Sequence, residues 1–226
     1  LFPYTTLCRS KETVKKIGEL CIKYNVLVVS DEIHCDLTYG NSYTPFASIS
    51  PEIAQNSITC IAPTKTFNLA GVQSSNIIVP NDEIRRMVNR GINTDEVAEP
   101  NAFAIEATIA AFTKGEPWLN ELIEYLAENK RVVQKFIHNE LPSLNLIHSD
   151  ATYLLWIDCS SITKDSLEFC KFIRKETGLY VSSGHVYGSN GGHFIRMNIA
   201  CQRERVEDGL SRLKVGVDKY IKRNII

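Results

Sequence analysis

The sequence predicts an α/β protein: a mostly parallel sheet with helices, followed by a small C-terminal α+β domain. Three observations predict it. The runs V-L-V-V-S before Asp31 and S-I-T-C-I before Thr64 and Lys65 are short, apolar and rich in β-branched residues, the composition of strands buried in parallel sheets. Helical patterns alternate with these runs through the first half, as expected of an α/β layer. A long amphipathic segment then leads into a second set of strand and helix patterns. The expected division is residues 1–120 for the sheet domain and 121–226 for the small domain, entered by a long interdomain helix.

In chain order, Ser10 reads as an N-cap for a helix whose apolar residues Val14, Ile17, Cys21 and Tyr24 recur at helical spacing. The strand Val26 to Ser30 follows directly. Apolar runs at Ile58 to Ile61 and Asn76 to Pro80, then a helix-like Asp82 to Ile92, continue the alternation. Pro117 opens a helix carrying Trp118, Leu122, Leu126, Val133 and Ile137 on one face, and Leu141-Pro142 stops it. After it come the strand-like T-Y-L-L-W-I-D, a helix from Asp165 to Glu176, the strand F-I-R-M-N-I and a final helix from Arg203 toward Ile221. The intervening G-S-N-G-G of residues 188–192 neither follows a strand nor opens a helix, so it reads as a turn rather than a phosphate loop.

A chain of 226 residues is long enough to bury a sizeable core. Its 25 Lys and Arg balance 26 Asp and Glu, so the net charge of −1 gives no electrostatic reason to expect nucleic acid or an anionic membrane as partner. Seven cysteines, odd in number and nowhere in a C-x-x-C pair, argue against a disulfide framework or a zinc ribbon and for reduced thiols. No stretch approaches the roughly 18 to 20 apolar residues of a membrane span, and no signal-peptide pattern is present. A soluble, cytoplasmic protein is expected.

The chemistry concentrates at Lys65, in A-P-T-K-T-F-N-L-A-G, and Asp31, in V-V-S-D-E-I-H. Taken singly, a loop lysine is ordinarily a solvated charge and an aspartate after a strand ordinarily caps the next element. Together, each following a strand of a parallel sheet whose ligands bind at the carboxyl ends, they suit pyridoxal phosphate (PLP). That cofactor needs an amine to bond its aldehyde and a carboxylate to keep its ring nitrogen protonated, so that the ring can accept the electrons of a substrate carbanion. Other candidates are weaker. Cys35 beside His34 lacks an orienting partner for a nucleophilic pair. His185 and His193 lack a third metal ligand at suitable spacing, so no metal site is expected. Tyr153 and Trp156 read as core aromatics, given their alternation with Leu154 and Leu155.

From about Lys11 to the C-terminus the chain resembles the fold-type I PLP enzymes of the class I/II aminotransferase superfamily, and more closely their MalY/PatB-type cystathionine β-lyase, or cysteine-S-conjugate β-lyase, group. The segments S-D-E-I-H-C-D-L, P-F-A-S, N-S-I-T-C-I-A-P-T-K-T-F-N-L-A-G-V-Q, S-N-I-I-V-P, E-P-N-A-F, T-Y-L-L-W-I-D and F-I-R-M-N-I-A-C carry the resemblance. It implies that residues 1–120 are the C-terminal part of the PLP-binding large domain, that Lys65 is the cofactor amine and catalytic base, and that Asp31 partners the ring nitrogen. His34 stands where ordinary aminotransferases place a tyrosine on the PLP phenolic oxygen, a mark of the lyase-like group. Thr64 matches a phosphate-proximal Ser/Thr position. Gln73 replaces a phosphate-binding arginine, so a neutral donor stands where the family usually has a charge. Arg196 matches the arginine that grips the substrate α-carboxylate, a task suited to a guanidinium that binds two oxygens at once.

The activity implied is β-elimination from cystathionine or another cysteine S-conjugate, giving pyruvate, ammonia and a thiol. A homodimer is implied by the resemblance alone, E-P-N-A-F being similar to a family stretch near the partner subunit. The family's upstream parts, a glycine-containing helix start for the phosphate, an aromatic residue on the ring and an N-P-x-N-P-x-G segment, have no match here. The opening L-F-P-Y-T-T-L-C-R-S fits the place of the last of them poorly. The expectation is therefore the C-terminal portion of a longer enzyme. The alternatives are a PLP-dependent aminotransferase, and a non-catalytic fragment or regulatory protein on the same scaffold.

Overall fold

The computed structural model describes residues 10–40 and 43–224. Residues 1–9 of the opening decapeptide, Cys8 among them, lie outside the described residues. The chain divides into two compact units, Leu7–Leu122 and Ile123–Ile226.

The first unit begins with α1 (Lys11–Lys23), where the Ser10 side chain accepts from the Thr13 amide at 3.2 Å. It continues through β1 (Val28–Asp31), α2 (Pro51–Gln55), β2 (Ser57–Ile61), α3 (Pro63–Thr66), β3 (Asn76–Ile78), α4 (Asp82–Thr94) and α5 (Ala104–Lys114). The boundary with the second unit falls within α6 (Glu116–Glu140). Strand β1 starts two positions later than the apolar run and takes in Asp31 itself. Gly18 lets α1 approach α2: a Cβ there would lie 2.5 Å from Ile53 Cδ1. Val14, Phe46 and Ile53 form a small core with Ile17, Val28 and Ile49 packed against it.

Strand order is β1-β2-β3, with β1 and β2 parallel and Asp31 opposite Cys60. One described strand departs from the parallel pattern: β3 runs antiparallel to β2, with Thr59 opposite Ile78. The route decides the direction. Residues 62–75 fold into α3 and a 3₁₀ turn at Ala70–Val72 and come straight back, without the crossover helix that usually joins parallel neighbours. Both outer strands expose apolar side chains, Val29 at 64% and also Ile77 and Ile78, and α4 buries none of its residues.

The second unit contains β4 (Asn145–Leu146), β5 (Leu154–Asp158), α7 (Ser166–Thr177), β6 (Ser182–Ser183), β7 (Phe194–Asn198) and α8 (Arg203–Asn224). Its four strands are antiparallel in the order β4-β5-β7-β6. Leu155, Ile157, Ile195 and Met197 turn one sheet face toward Phe169 and Ile173 of α7 and Leu210, Leu213 and Val217 of α8, all buried in one cluster with Val133 and Ile137 of α6. Burial of these side chains is the main stabilising contribution here. Asn129 of α6, fully buried, donates to the carbonyls of Ile199 and Cys201 at 3.0 Å each and accepts from Arg203 Nε at 2.7 Å, tying the helix to the turn between β7 and α8. No described helix is long and apolar enough to cross a membrane.

Candidate functional site

Because β1 and β2 are parallel neighbours, their chains leave the sheet at the same edge, the carboxyl edge where open α/β sheets bind ligands. Asp31 is the last residue of β1, and Thr64 and Lys65 sit in α3, just beyond the end of β2. Glu32 continues the pairing, its amide donating to Cys60 O at 2.8 Å. Asp31 and Lys65 are exposed, whereas His34 and Thr64 are half-buried.

The turn that follows Asp31 is built by its own side chains. Asp31 Oδ1 accepts from the Ile33 amide at 3.2 Å, and the Cys35 amide donates to Glu32 O at 2.9 Å. Buried Glu32 accepts from Ser30 Oγ at 2.9 Å and from the Phe46 amide at 3.0 Å, which fixes where the D-E-I-H turn leaves the strand. Thr66 Oγ1 donates to Asp36 Oδ2 at 2.9 Å, joining this turn to the one that carries Lys65. Sequence reasoning singled out none of Glu32, Asp36 or Thr66. Their pairing is non-local, and the short polar side chains gave no spacing signal.

Gln73 ends the 3₁₀ turn in the left-handed region, φ +52°. Non-glycine residues seldom adopt that conformation unless the surroundings hold it. Asn101, from E-P-N-A-F, supplies part of that hold by donating its side-chain amide to Val72 O, and Ser74 Oγ lies 3.1 Å from Thr108 Oγ1 of α5. Phe67, two residues past Lys65, packs against Phe112 and Trp118 with ring centroids 5.9 Å apart in both cases.

In the second unit Arg196 lies on β7 opposite Trp156 of β5 and Ser182 of β6. Its guanidinium carbon stands 4.7 Å from the centroid of Tyr187, a cation–π contact that occupies a face of the group and leaves its N–H edges for an anion. Among the described residues no carboxylate lies within ion-pair distance of it. Trp156 meets Tyr187 at 5.2 Å and Phe194 at 6.0 Å, both edge to face. The core assignment of Trp156 is therefore corrected. In the alternation of β5 the residues facing the core are Leu155 and Ile157, which puts Trp156 on the Arg196 face. Tyr153 does pack against the core cluster; burial raises its phenol, and the charge of Arg196 partly opposes that rise. Tyr187 reaches this face from the turn that runs into G-S-N-G-G, where Gly184 and Gly191 come so close that a Cβ on Gly191 would lie 1.9 Å from Gly184 O.

Cys35 is half-buried. Its thiol is pushed up to about 12, first by burial and then by Asp36, toward whose Oδ1 it donates at 3.6 Å. A thiol so held stays protonated and is no nucleophile. Among the described residues no group of three His, Cys, Asp or Glu side chains is placed to hold a metal. The donor set at the β1/β2 edge fits pyridoxal phosphate: an exposed amine, a carboxylate, an imidazole and the neutral polar side chains Thr64 and Gln73.

A family model described as aminotransferase class I and II matches residues 7–213. The match begins inside the opening decapeptide that the sequence reading left unmatched. The cystathionine β-lyase PatB of Bacillus subtilis is 41% identical over 209 residues, 92% of this chain and 54% of that protein. Among solved structures, a PLP-bound putative aminotransferase from Clostridium difficile superposes with a TM-score of 0.90 at 35% identity, covering 92% of this chain and 54% of that one. Cystalysin from Treponema denticola, which contains a pyridoxal 5'-phosphate cofactor, also gives 0.90, at 29% identity, with 93% and 54% covered. The chain spans about half the length of the relatives it matches.

Proposed function

The chain belongs to the aminotransferase class I and II family, and from that membership we propose that it carries the lysine-bearing part of a PLP-dependent carbon–sulfur β-lyase. The observation that carries the reading is the placement of Asp31 and Lys65 at the carboxyl ends of adjacent parallel strands. The D-E-I-H turn and the 41% identity to a cystathionine β-lyase favour elimination over transamination. On this reading residues 1–120 complete a large domain and residues 121–226 form the small one. The whole enzyme is a cytoplasmic homodimer in which further residues, upstream in the family, finish the cofactor site.

When bound, PLP supplies an electron sink for the carbanion formed at the substrate α-carbon. The chain's own groups do the rest. Lys65 Nζ would hold the cofactor and would serve as the base at the substrate α-carbon. The Asp31 carboxylate would favour the protonated ring nitrogen, His34 would hydrogen-bond the phenolic oxygen, and Thr64 and Gln73 would offer neutral donors to the phosphate. Arg196 grips the α-carboxylate with its N–H edges while Tyr187 backs it. A cysteine S-conjugate and water give pyruvate, ammonia and the free thiol, so the balance closes with no oxo-acid acceptor.

The test is borohydride reduction of the PLP-loaded protein followed by peptide mapping, paired with a thiol-release assay on cystathionine. A pyridoxyl group on Lys65, absent from Lys65→Ala, together with pyruvate and thiol release, is expected. Labelled Lys65 with amino-group transfer to an oxo acid, and no thiol, would replace the lyase by an aminotransferase. Scattered or absent labelling in the wild-type protein would leave the scaffold reading in place of the enzyme.

A further inference from the structure

We propose that Asp36 is a positioning residue for Lys65, acting through the hydroxyl of Thr66. The proposal rests on the reading of Lys65 as the cofactor amine and extends it to a device that reading does not contain. α3 spans Pro63–Thr66 alone, and a helix of one turn has too few internal hydrogen bonds to hold its own conformation. Its backbone is secured by Phe67 N to Pro63 O at 2.9 Å and Leu69 N to Thr64 O at 3.1 Å, both local. Among the described residues, the side-chain hydrogen bond that ties it to a different segment is the 2.9 Å bond from Thr66 Oγ1 to Asp36 Oδ2.

Both ends of that bond are anchored. Thr66 is fully buried, so its hydroxyl has no water to fall back on. Asp36 is half-buried, and its second oxygen, Oδ1, takes the Cys35 thiol at 3.6 Å, so the two oxygens have separate partners. The turn bearing Asp36 starts at Asp31 and is held by the buried Glu32 carboxylate. One side-chain bond thus links the turn that follows the ring-nitrogen partner to the turn carrying the amine. Lys65 sits on one side of Thr66 in sequence and Phe67, wedged against α5 and α6, on the other. Loss of the bond frees the amine's backbone while leaving both loops folded.

The experiment compares the PLP-loaded wild-type protein with Thr66→Val, Thr66→Ser, Asp36→Ala and the Thr66→Val/Asp36→Ala pair. Three quantities are read: PLP affinity by absorbance titration, the pH midpoint of the bound cofactor's absorbance change, and borohydride labelling of Lys65. Thr66→Val and Asp36→Ala are each expected to weaken PLP binding roughly tenfold and to shift the absorbance midpoint. Thr66→Ser restores both, and the double variant is no worse than Asp36→Ala, because the Thr66–Asp36 bond is already lost in each single variant. Should Thr66→Val not fold, Asp36→Ala, at a half-buried position, decides alone. Affinity and midpoint equal to wild type in a folded variant, with wild-type Lys65 labelled, would overturn the positioning role and leave the functional reading standing. Wild-type protein unlabelled at Lys65 would overturn both.

Discussion

The guanidinium carbon of Arg196 stands 4.7 Å from the ring centroid of Tyr187, on the sheet face that also carries Trp156. A cation–π contact is worth about 0.5 to 2 kcal/mol, more when water is excluded. Tyr187 both stabilises the charge and restricts the side chain to orientations that leave its N–H edges open. If Arg196 binds the substrate carboxylate, Tyr187→Ala should raise KM for the amino acid by roughly 2- to 30-fold, while kcat at saturation changes little. Tyr187→Phe keeps the ring and should stay near wild type. Equal losses in the two variants would point to the hydroxyl instead of the ring.

Glu32 offers a stability test at the other strand end. Its buried carboxylate accepts from the Phe46 amide at 3.0 Å and from Ser30 Oγ at 2.9 Å. Glu32→Ala strands a buried N–H, which costs about 1 to 3 kcal/mol. Chemical denaturation followed by circular dichroism should show that loss, and Glu32→Gln, which keeps an acceptor oxygen, should recover part of it. Unchanged stability in Glu32→Ala would mean that water replaces the carboxylate.

Gly115 closes α5 against Phe67: a Cβ at this position would lie 2.4 Å from both Phe67 Cε1 and the Ala111 carbonyl oxygen. The carbonyl is backbone and cannot swing aside. Gly115→Ala should therefore destabilise by about 1 to 3 kcal/mol, the usual cost of overpacking. Phe67 follows Lys65 by two residues, so the same variant should also weaken PLP binding. A variant with wild-type melting temperature and wild-type PLP affinity would show that the ring relocates freely.

The parts of this fold that were legible in the sequence are those whose packing imprints a period. Val14, Ile17 and Cys21 marked α1, and the stripe through Leu126, Val133 and Ile137 marked α6 to within a residue of its start. Helix α5 left no such mark. Ala104 and Ala111 are buried while Ile105, Ile109 and Phe112 are exposed, so the apolar residues do not point to the face it packs. The two-residue strands β4 and β6 are too short to carry any alternation. The direction of β3 depends on the path of residues 62–75, which no local pattern encodes. At the site, Asp31 and Lys65 stood out because strand runs precede both. The Thr66 to Asp36 bond joins positions 30 apart through side chains common in any turn, and became visible only once the two strands were paired.

Alkaline pH should destabilise this protein through its buried and half-buried thiols and a half-buried phenol. Burial pushes the thiols of Cys35 and Cys170 up to about 12 and raises Cys159 further, and the Tyr39 phenol is likewise raised to about 12 by burial. Each group has a folded value above its unfolded one, so the native state holds more protons than the unfolded state once pH exceeds the ordinary thiol value of about 8.5. Stability is full below that point and falls as pH rises toward about 12. Melting temperatures measured from neutral pH upward should stay level and then drop across this window. In Cys159→Ala/Cys170→Ala the drop should be shallower, because two of the groups that must ionise on unfolding are gone. An equally steep decline in the double variant would assign the alkaline sensitivity to Tyr39 and Cys35, and a level profile in the wild-type protein would mean that the thiols ionise within the folded state.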